Sequence, residues 1–134
     1  MKGHARNLMT ERVTAVTPGT LLEAIAQTLI AEGIGGVPVV DHENRVLGFV
    51  SETDLLAALL RETDGQTTAH DIMSRPPITV DEFATTDEVL TLMRERHIHH
   101  LPVVREGLLV GIISPLDVLR FFVERVLPPP PEVG

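Results

Sequence analysis

Two short phrases, Ser51-Glu52-Thr53-Asp54 and Ser114-Pro115-Leu116-Asp117, each set a hydroxyl and a carboxylate three residues apart. Each follows a β-branched apolar run and precedes a stretch of helical spacing, so each falls where a strand ends and a helix begins. Free backbone N–H groups and the helix dipole at such a junction favour an anion, so a phosphate could sit beside the serine. An adjacent carboxylate can accept both hydroxyls of a ribose, the chemistry by which an acidic residue reads ribose in dinucleotide folds. The same spacing also makes a helix cap, with Ser at N-cap and an acid at N3. The two readings are compatible, because a capping serine keeps lone pairs for a ligand.

Other chemistry is sparse. His97, His99 and His100 invite a metal reading, but His97 is expected to end a helix, and His99 and His100 point apart on an extended chain. With no cysteine and no carboxylate at ligand spacing, no metal site is expected. No nucleophile lies in a recognised setting, Ser51 and Ser114 have no histidine suggesting a triad, and there is no P-loop. The residues therefore predict a binding protein and not an enzyme.

The elements that must position these groups occur twice. The stretch from Met9 to Leu60 returns as Met73 to Val123. Met9/Met73 and Pro38/Pro102 are 64 residues apart, whereas Gly48/Gly111, Ser51/Ser114 and Asp54/Asp117 are 63 apart, so one residue is lost in the turn between two strands. Neither copy is long enough to bury a good core alone, so the two are expected to pack together. In the first, Leu22, Ile25, Ala26, Leu29 and Ile30 predict a helix over about residues 20–32, with Thr20 and Glu23 as its capping box and Gly33 as its stop. Val37–Val40 and Val46–Val50 predict two strands, and Leu55, Leu56, Leu59 and Leu60 the buried face of a second helix. In the second, Thr86, Val89, Leu90 and Met93 mark the first helix, LPVV and LLVGII the strands, and Val118, Leu119, Phe122 and Val123 the last helix. Met9, Met73 and Met93 read as core. Arg61 to His70 is polar and without period, hence a linker; the PPPPEVG tail is expected to be extended and mobile.

Composition narrows the partners. The 134 residues are 43% hydrophobic but only 3% aromatic, so the core must be aliphatic. A net charge of −8 argues against nucleic acid. Absent cysteines exclude disulfides and thiol catalysis. No apolar run approaches a membrane span and MKGHARN has no signal-peptide core, so no membrane partner and a cytoplasmic location are expected.

With VPVV and LPVV, VLGFVSETDLL and LVGIISPLDVL, and the lead-ins NLMTERVTAV and DIMSRPPITV, the sequence closely resembles a tandem pair of CBS (cystathionine β-synthase) domains. The resemblance covers about residues 7–126: repeat one at 7–62, a linker at 63–70, repeat two at 71–126 and a Pro-rich tail at 127–134. It implies an α+β (α/β-like) fold of two β-α-β-β-α repeats with pseudo-two-fold symmetry, adenosyl ligands in clefts between the repeats, and a disc-like homodimer. By resemblance Asp54 and Asp117 grip the ribose, while Ser51 and Ser114 lie near phosphate. Thr79 occupies the position that reaches the ligand of Ser51 and Asp54; the matching Ala15 has no hydroxyl, so the two sites are expected to be unequal. Otherwise Thr79 is an ordinary β-branched strand-entry residue. Segments containing Gly36 and Pro38, and His99 and Pro102, are expected to wall the adenine. His99 would lend pH dependence, or else simply flank a strand half-exposed.

The implied function is a regulatory module that binds AMP, ADP, ATP, or an S-adenosylmethionine- or NAD-like ligand, and transmits a change of shape to an effector protein. No cofactor is required; the adenine nucleotide is itself the regulatory ligand. The alternative is a dimerisation or interaction module with vestigial sites.

Overall fold

A computed structural model describes residues 3–131. Met1 and Lys2 of the N-terminal phrase, and the last three residues of the Pro-rich tail, lie outside the described residues.

The chain divides into two compact units whose borders differ from those of the repeats. The first unit holds Thr14–Ile78 and Gly107–Leu109. Its elements are α2 (Leu22–Glu32), β1 (Gly36–Val40), β2 (Val46–Ser51), α3 (Glu52–Arg61) and α4 (Ala69–Ile72), where α1 (Ala5–Leu8) precedes them in the chain. The second unit holds residues 3–13, Thr79–Glu106 and 110–131. It contains α1, β3 (Val80–Asp81), α5 (Thr86–Arg96), β4 (Leu101–Arg105), most of β5 (Leu108–Ile113) and α6 (Pro115–Phe121), which runs into a π-helical turn at Phe122–Val126. This is the mixed α/β class with one element order used twice.

In the first unit, β1 and β2 pair antiparallel from Gly36↔Ser51 to Val40↔Val46, with an irregularity between Val39 and Val40. Val16 forms a parallel bridge to Val39: its N–H donates to the Pro38 carbonyl at 3.0 Å, and its carbonyl accepts from the Val40 N–H at 2.8 Å. Pro38 thus serves through its carbonyl, the backbone group a proline keeps. The aliphatic core of this unit gathers Leu22, Ile25, Val37, Val39, Val50 and Leu55. In the second unit, β3 runs parallel to β4 with Val80 opposite Val103, the residues 64 on from Val16 and Val39. Ala5, Val89, Leu101, Val103 and Ile113 form its fully buried centre.

The border shift comes from the lead-ins. Met9 packs across Gly111, where a Cβ would collide with the methionine side chain. Thr10 then exchanges backbone hydrogen bonds with Ile112, at 2.8 and 3.0 Å. In the first unit Met73 lies across Gly48 in the same way, and Ser74 exchanges backbone bonds with Phe49 at 2.9 and 3.2 Å. Each lead-in therefore completes the strand of the other copy. The missing Cβ of each glycine makes room for a thioether, which adapts well to such a gap.

Several local expectations change. The capping box of Thr20 and Glu23 does not form: α2 starts at Leu22, and the Thr20 hydroxyl accepts from the Thr17 N–H at 3.2 Å. The α2 start is held by backbone instead, the Leu22 N–H donating to the Thr67 carbonyl at 3.2 Å. Gly33 does end α2 in the left-handed region (φ 66°), and His97 ends α5 with the same conformation (φ 52°). On α3 only Leu55 and Ala58 are buried; Leu56, Leu59 and Leu60 are exposed, as are Ile30, Leu119 and Val123. Apolar spacing marks a stripe, but the stripe is wider than the face each unit covers. The end of the expected linker is built in as well, since Thr68 caps α4, Ala69 is fully buried and the Ala69 N–H donates to the Thr20 carbonyl at 2.9 Å. Beyond Leu127 (φ −76°, ψ 148°), residues 128–131 are exposed and without regular structure.

Candidate functional site

In the first unit, β2 delivers Ser51 to the N-cap of α3 in extended backbone (φ −87°, ψ 160°). The Ser51 hydroxyl oxygen accepts from the Asp54 N–H at 3.2 Å and lies 3.2 Å from the Thr53 hydroxyl. The Glu52 N–H donates to the Gly35 carbonyl at 2.9 Å. Asp54 is exposed, and its carboxylate accepts no hydrogen bond and forms no ion pair among the described residues. Two free carboxylate oxygens at the start of a ten-residue helix can accept a pair of vicinal hydroxyls without giving up any internal bond.

The second unit builds the same phrase differently. Ser114 caps α6, and its hydroxyl oxygen accepts from the Asp117 N–H at 3.3 Å. Here the acid answers: one Asp117 oxygen accepts from the Ser114 N–H at 2.8 Å and from its hydroxyl at 3.0 Å. The other accepts from the Thr10 hydroxyl at 3.1 Å and from the Arg120 guanidinium at 3.3 Å. Asp117 is buried, with 9% exposure, in contrast to open Asp54. Pro115 at the first helical position also removes one N–H that an anion could have used.

The capping reading and the open-carboxylate reading thus divide between the copies. Ser51 caps without help from its acid, while Ser114 and Asp117 form a full reciprocal box. Sequence pattern alone does not single out Thr10 or Arg120. Their signal lies in the comparison of copies, for Thr10 matches Ser74 and Arg120 matches Ala57. The Ser74 hydroxyl donates to the Phe49 carbonyl at 3.1 Å and not to an acid.

The other candidates are distributed as follows. Thr79 is half-buried at the entry to β3 in the second unit, with no hydrogen bond to its hydroxyl among the described residues. Ala15 holds the matching place before the Val16 bridge in the first unit. Gly36 is buried, and the Phe49 ring fills the space its Cβ would need, so its small size serves packing. Pro38 and Pro102 are fully buried and belong to the core. His99 is exposed between α5 and β4, and His100 is half-buried. Among the described residues no three His, Asp or Glu side chains converge as a metal site, and no helix is long and apolar enough to cross a membrane.

A protein-family model described as CBS domain matches residues 5–61 and 69–124. Hypoxic response protein 1 of Mycobacterium tuberculosis is 30% identical over 125 residues, covering 92% of this chain and 87% of that protein. Two archaeal relatives are longer, and the chain spans only 41% and 50% of their lengths. Among solved structures, CBSX2 in complex with AMP is similar with a TM-score of 0.80 and 29% identity, covering 89% of this chain and 95% of that one. A CBS domain pair in complex with 5′-methylthioadenosine and S-adenosyl-L-methionine gives a TM-score of 0.80 at 26% identity, covering 90% and 95%.

Proposed function

The chain belongs to the CBS domain family, and from that premise we propose that it is a regulatory module binding an adenosyl ligand and passing a change of shape to a partner protein. The observation that carries this reading is the exposed, unengaged carboxylate of Asp54 beside the N-cap hydroxyl of Ser51. That pair offers acceptors for ribose hydroxyls next to a helix N-terminus suited to a phosphate or carboxylate. The AMP complex of CBSX2 and the methylthioadenosine and S-adenosylmethionine complexes of a similar pair support the ligand class. Thr79, His99, Gly36, Pro38 and Pro102 are the further residues we assign to contact with an adenosyl ligand. The mechanism is differential affinity, in which the ligand favours the arrangement that holds it better. The role is binding, not catalysis, in the cytoplasm.

Thermal unfolding with AMP, ADP, ATP, S-adenosylmethionine and NAD near millimolar tests the reading. A ligand at about 100 times its Kd adds roughly 2.7 kcal/mol, several degrees for a domain of this size. The rise is expected in wild type and absent in Asp54→Ala. A flat response to all five ligands refutes the adenosyl reading.

A second reading, an interaction module working through self-association, is favoured by one observation. Leu56 and Leu60 on α3 are 60% and 87% exposed, and their counterparts Leu119 and Val123, 63 residues on, are 61% and 63% exposed. One apolar stripe presented twice suits a symmetric homodimer. Light scattering is expected to give a dimer mass for wild type and a monomer mass for the Leu60→Glu/Val123→Glu variant; a wild-type monomer overturns self-association.

A further inference from the structure

The two Ser-x-x-Asp phrases match in sequence yet differ in what their acids are free to do. Among the described residues Asp54 keeps both oxygens open, whereas Asp117 accepts four hydrogen bonds from three residues. Two of those donors are the cap serine itself. The other two are particular to the second copy: the Thr10 hydroxyl, carried in by the first lead-in, and the Arg120 guanidinium one helical turn beyond the acid. Ser74 and Ala57, the matching residues of the first copy, place nothing on Asp54.

We propose that Thr10 and Arg120 form an intramolecular lock on Asp117, closing the second phrase to ribose hydroxyls until both donors are displaced. The inference rests on the reading that the acid of each phrase accepts a ribose. It adds that one chain binds a single adenosyl ligand, at Asp54, and holds the second position in reserve. A carboxylate offers about four lone-pair positions, so an acid already accepting four bonds takes two more hydroxyls only by releasing two donors. The donors that can leave without breaking the cap are Thr10 and Arg120. Thr10 also bonds Ile112 through its backbone, and Met9 beside it lies over Gly111, so loosening Thr10 loosens the lead-in from β5. Occupying the second position is thereby coupled to the hold on residues 3–13. The lock bears on positioning alone, since neither donor is needed at the open phrase.

The test is calorimetric titration of AMP, with S-adenosylmethionine alongside, into wild type, Thr10→Ser, Thr10→Ala, Thr10→Ala/Arg120→Ala and Asp54→Ala, with folding checked by circular dichroism. Wild type is expected to bind one equivalent per chain, lost in Asp54→Ala. The double variant is expected to bind two, the second tightening about fivefold on loss of the Thr10 hydroxyl and by up to about fivefold more on loss of the exposed Arg120 guanidinium, and Asp117→Ala in that background to abolish it. Thr10→Ser keeps the hydroxyl and is expected to behave as wild type, and Thr10→Ala alone keeps the proposal testable should the double variant fail to fold. Two equal sites in wild type, or a folded unlocked variant that stays at one equivalent, overturns the lock while leaving the Asp54 reading intact. Binding only in the unlocked variant upholds the lock and overturns Asp54. Binding by no variant overturns both.

Discussion

Replacing each acid by alanine in the absence of ligand should separate the two phrases by stability alone. Asp117→Ala removes an acceptor of four hydrogen bonds from a site that is 9% exposed. Losing the acidic half of the capping box costs about 1 kcal/mol. The Thr10 bond adds about 1 kcal/mol, the value of an ordinary hydrogen bond and below that usual for a charged acceptor, because the freed hydroxyl can turn to water. The Arg120 pair adds roughly 0–1 kcal/mol, since the arginine side chain is 55% exposed and water screens it. The total is about 2–3 kcal/mol, which for a chain between the small and mid-sized domain classes lowers Tm by roughly 6–15 °C. Asp54→Ala deletes a carboxylate with no partner among the described residues and is expected to stay within about 0.5 kcal/mol of wild type. Urea and thermal melts followed by circular dichroism measure both, provided the two units unfold in one transition. If Asp117→Ala melts within about 2 °C of wild type, or the two variants fall together, the asymmetry drawn from the hydrogen bonds is refuted.

Three further outcomes follow from particular residues. The Thr86 hydroxyl is fully buried without a partner among the described residues, where the first copy has Leu22, so Thr86→Val is expected to raise stability by about 1 kcal/mol; a fall would mean the hydroxyl is bonded. A Cβ at Gly48 would lie 2.7 Å from the Ser74 carbonyl oxygen and 2.8 Å from the Met73 sulfur, so Gly48→Ala is expected to cost about 1–3 kcal/mol in urea unfolding, and a neutral result would show that the lead-in yields. The Thr68 N–H, and then its hydroxyl, hold the Asp71 carboxyl below the usual carboxylate range. The unfolded chain therefore takes up that proton first, so the contribution is present above the ordinary carboxylate pKa and is lost as pH falls through the lowered one. Asp71→Asn is expected to be less stable than wild type near neutrality and to converge with it in acid; a pH-independent gap would contradict this.

Much of the fold was legible because it was written twice. Offsets of 64 and 63 residues tie Val16 to Val80, Gly33 to His97 and Ser51 to Ser114, and the structure gives each pair the same local role. Strand and helix identities follow from period and β-branching, which are local properties. The faces did not follow, because an apolar stripe on α3 or α6 says that something is covered without saying how much, and Leu56, Leu60, Leu119 and Val123 remain exposed.

The sequence by itself determined the duplicated α/β architecture, the aliphatic core, the family and the two Ser-x-x-Asp phrases. Only the tertiary structure decided that each lead-in joins the other copy's strand and that Asp54 stays open while Asp117 is spent. The reason is physical: a carboxylate's capacity for a ligand depends on which donors already occupy it. For Asp117 one of those donors, Thr10, lies 107 residues away in the chain, so no local pattern contains it.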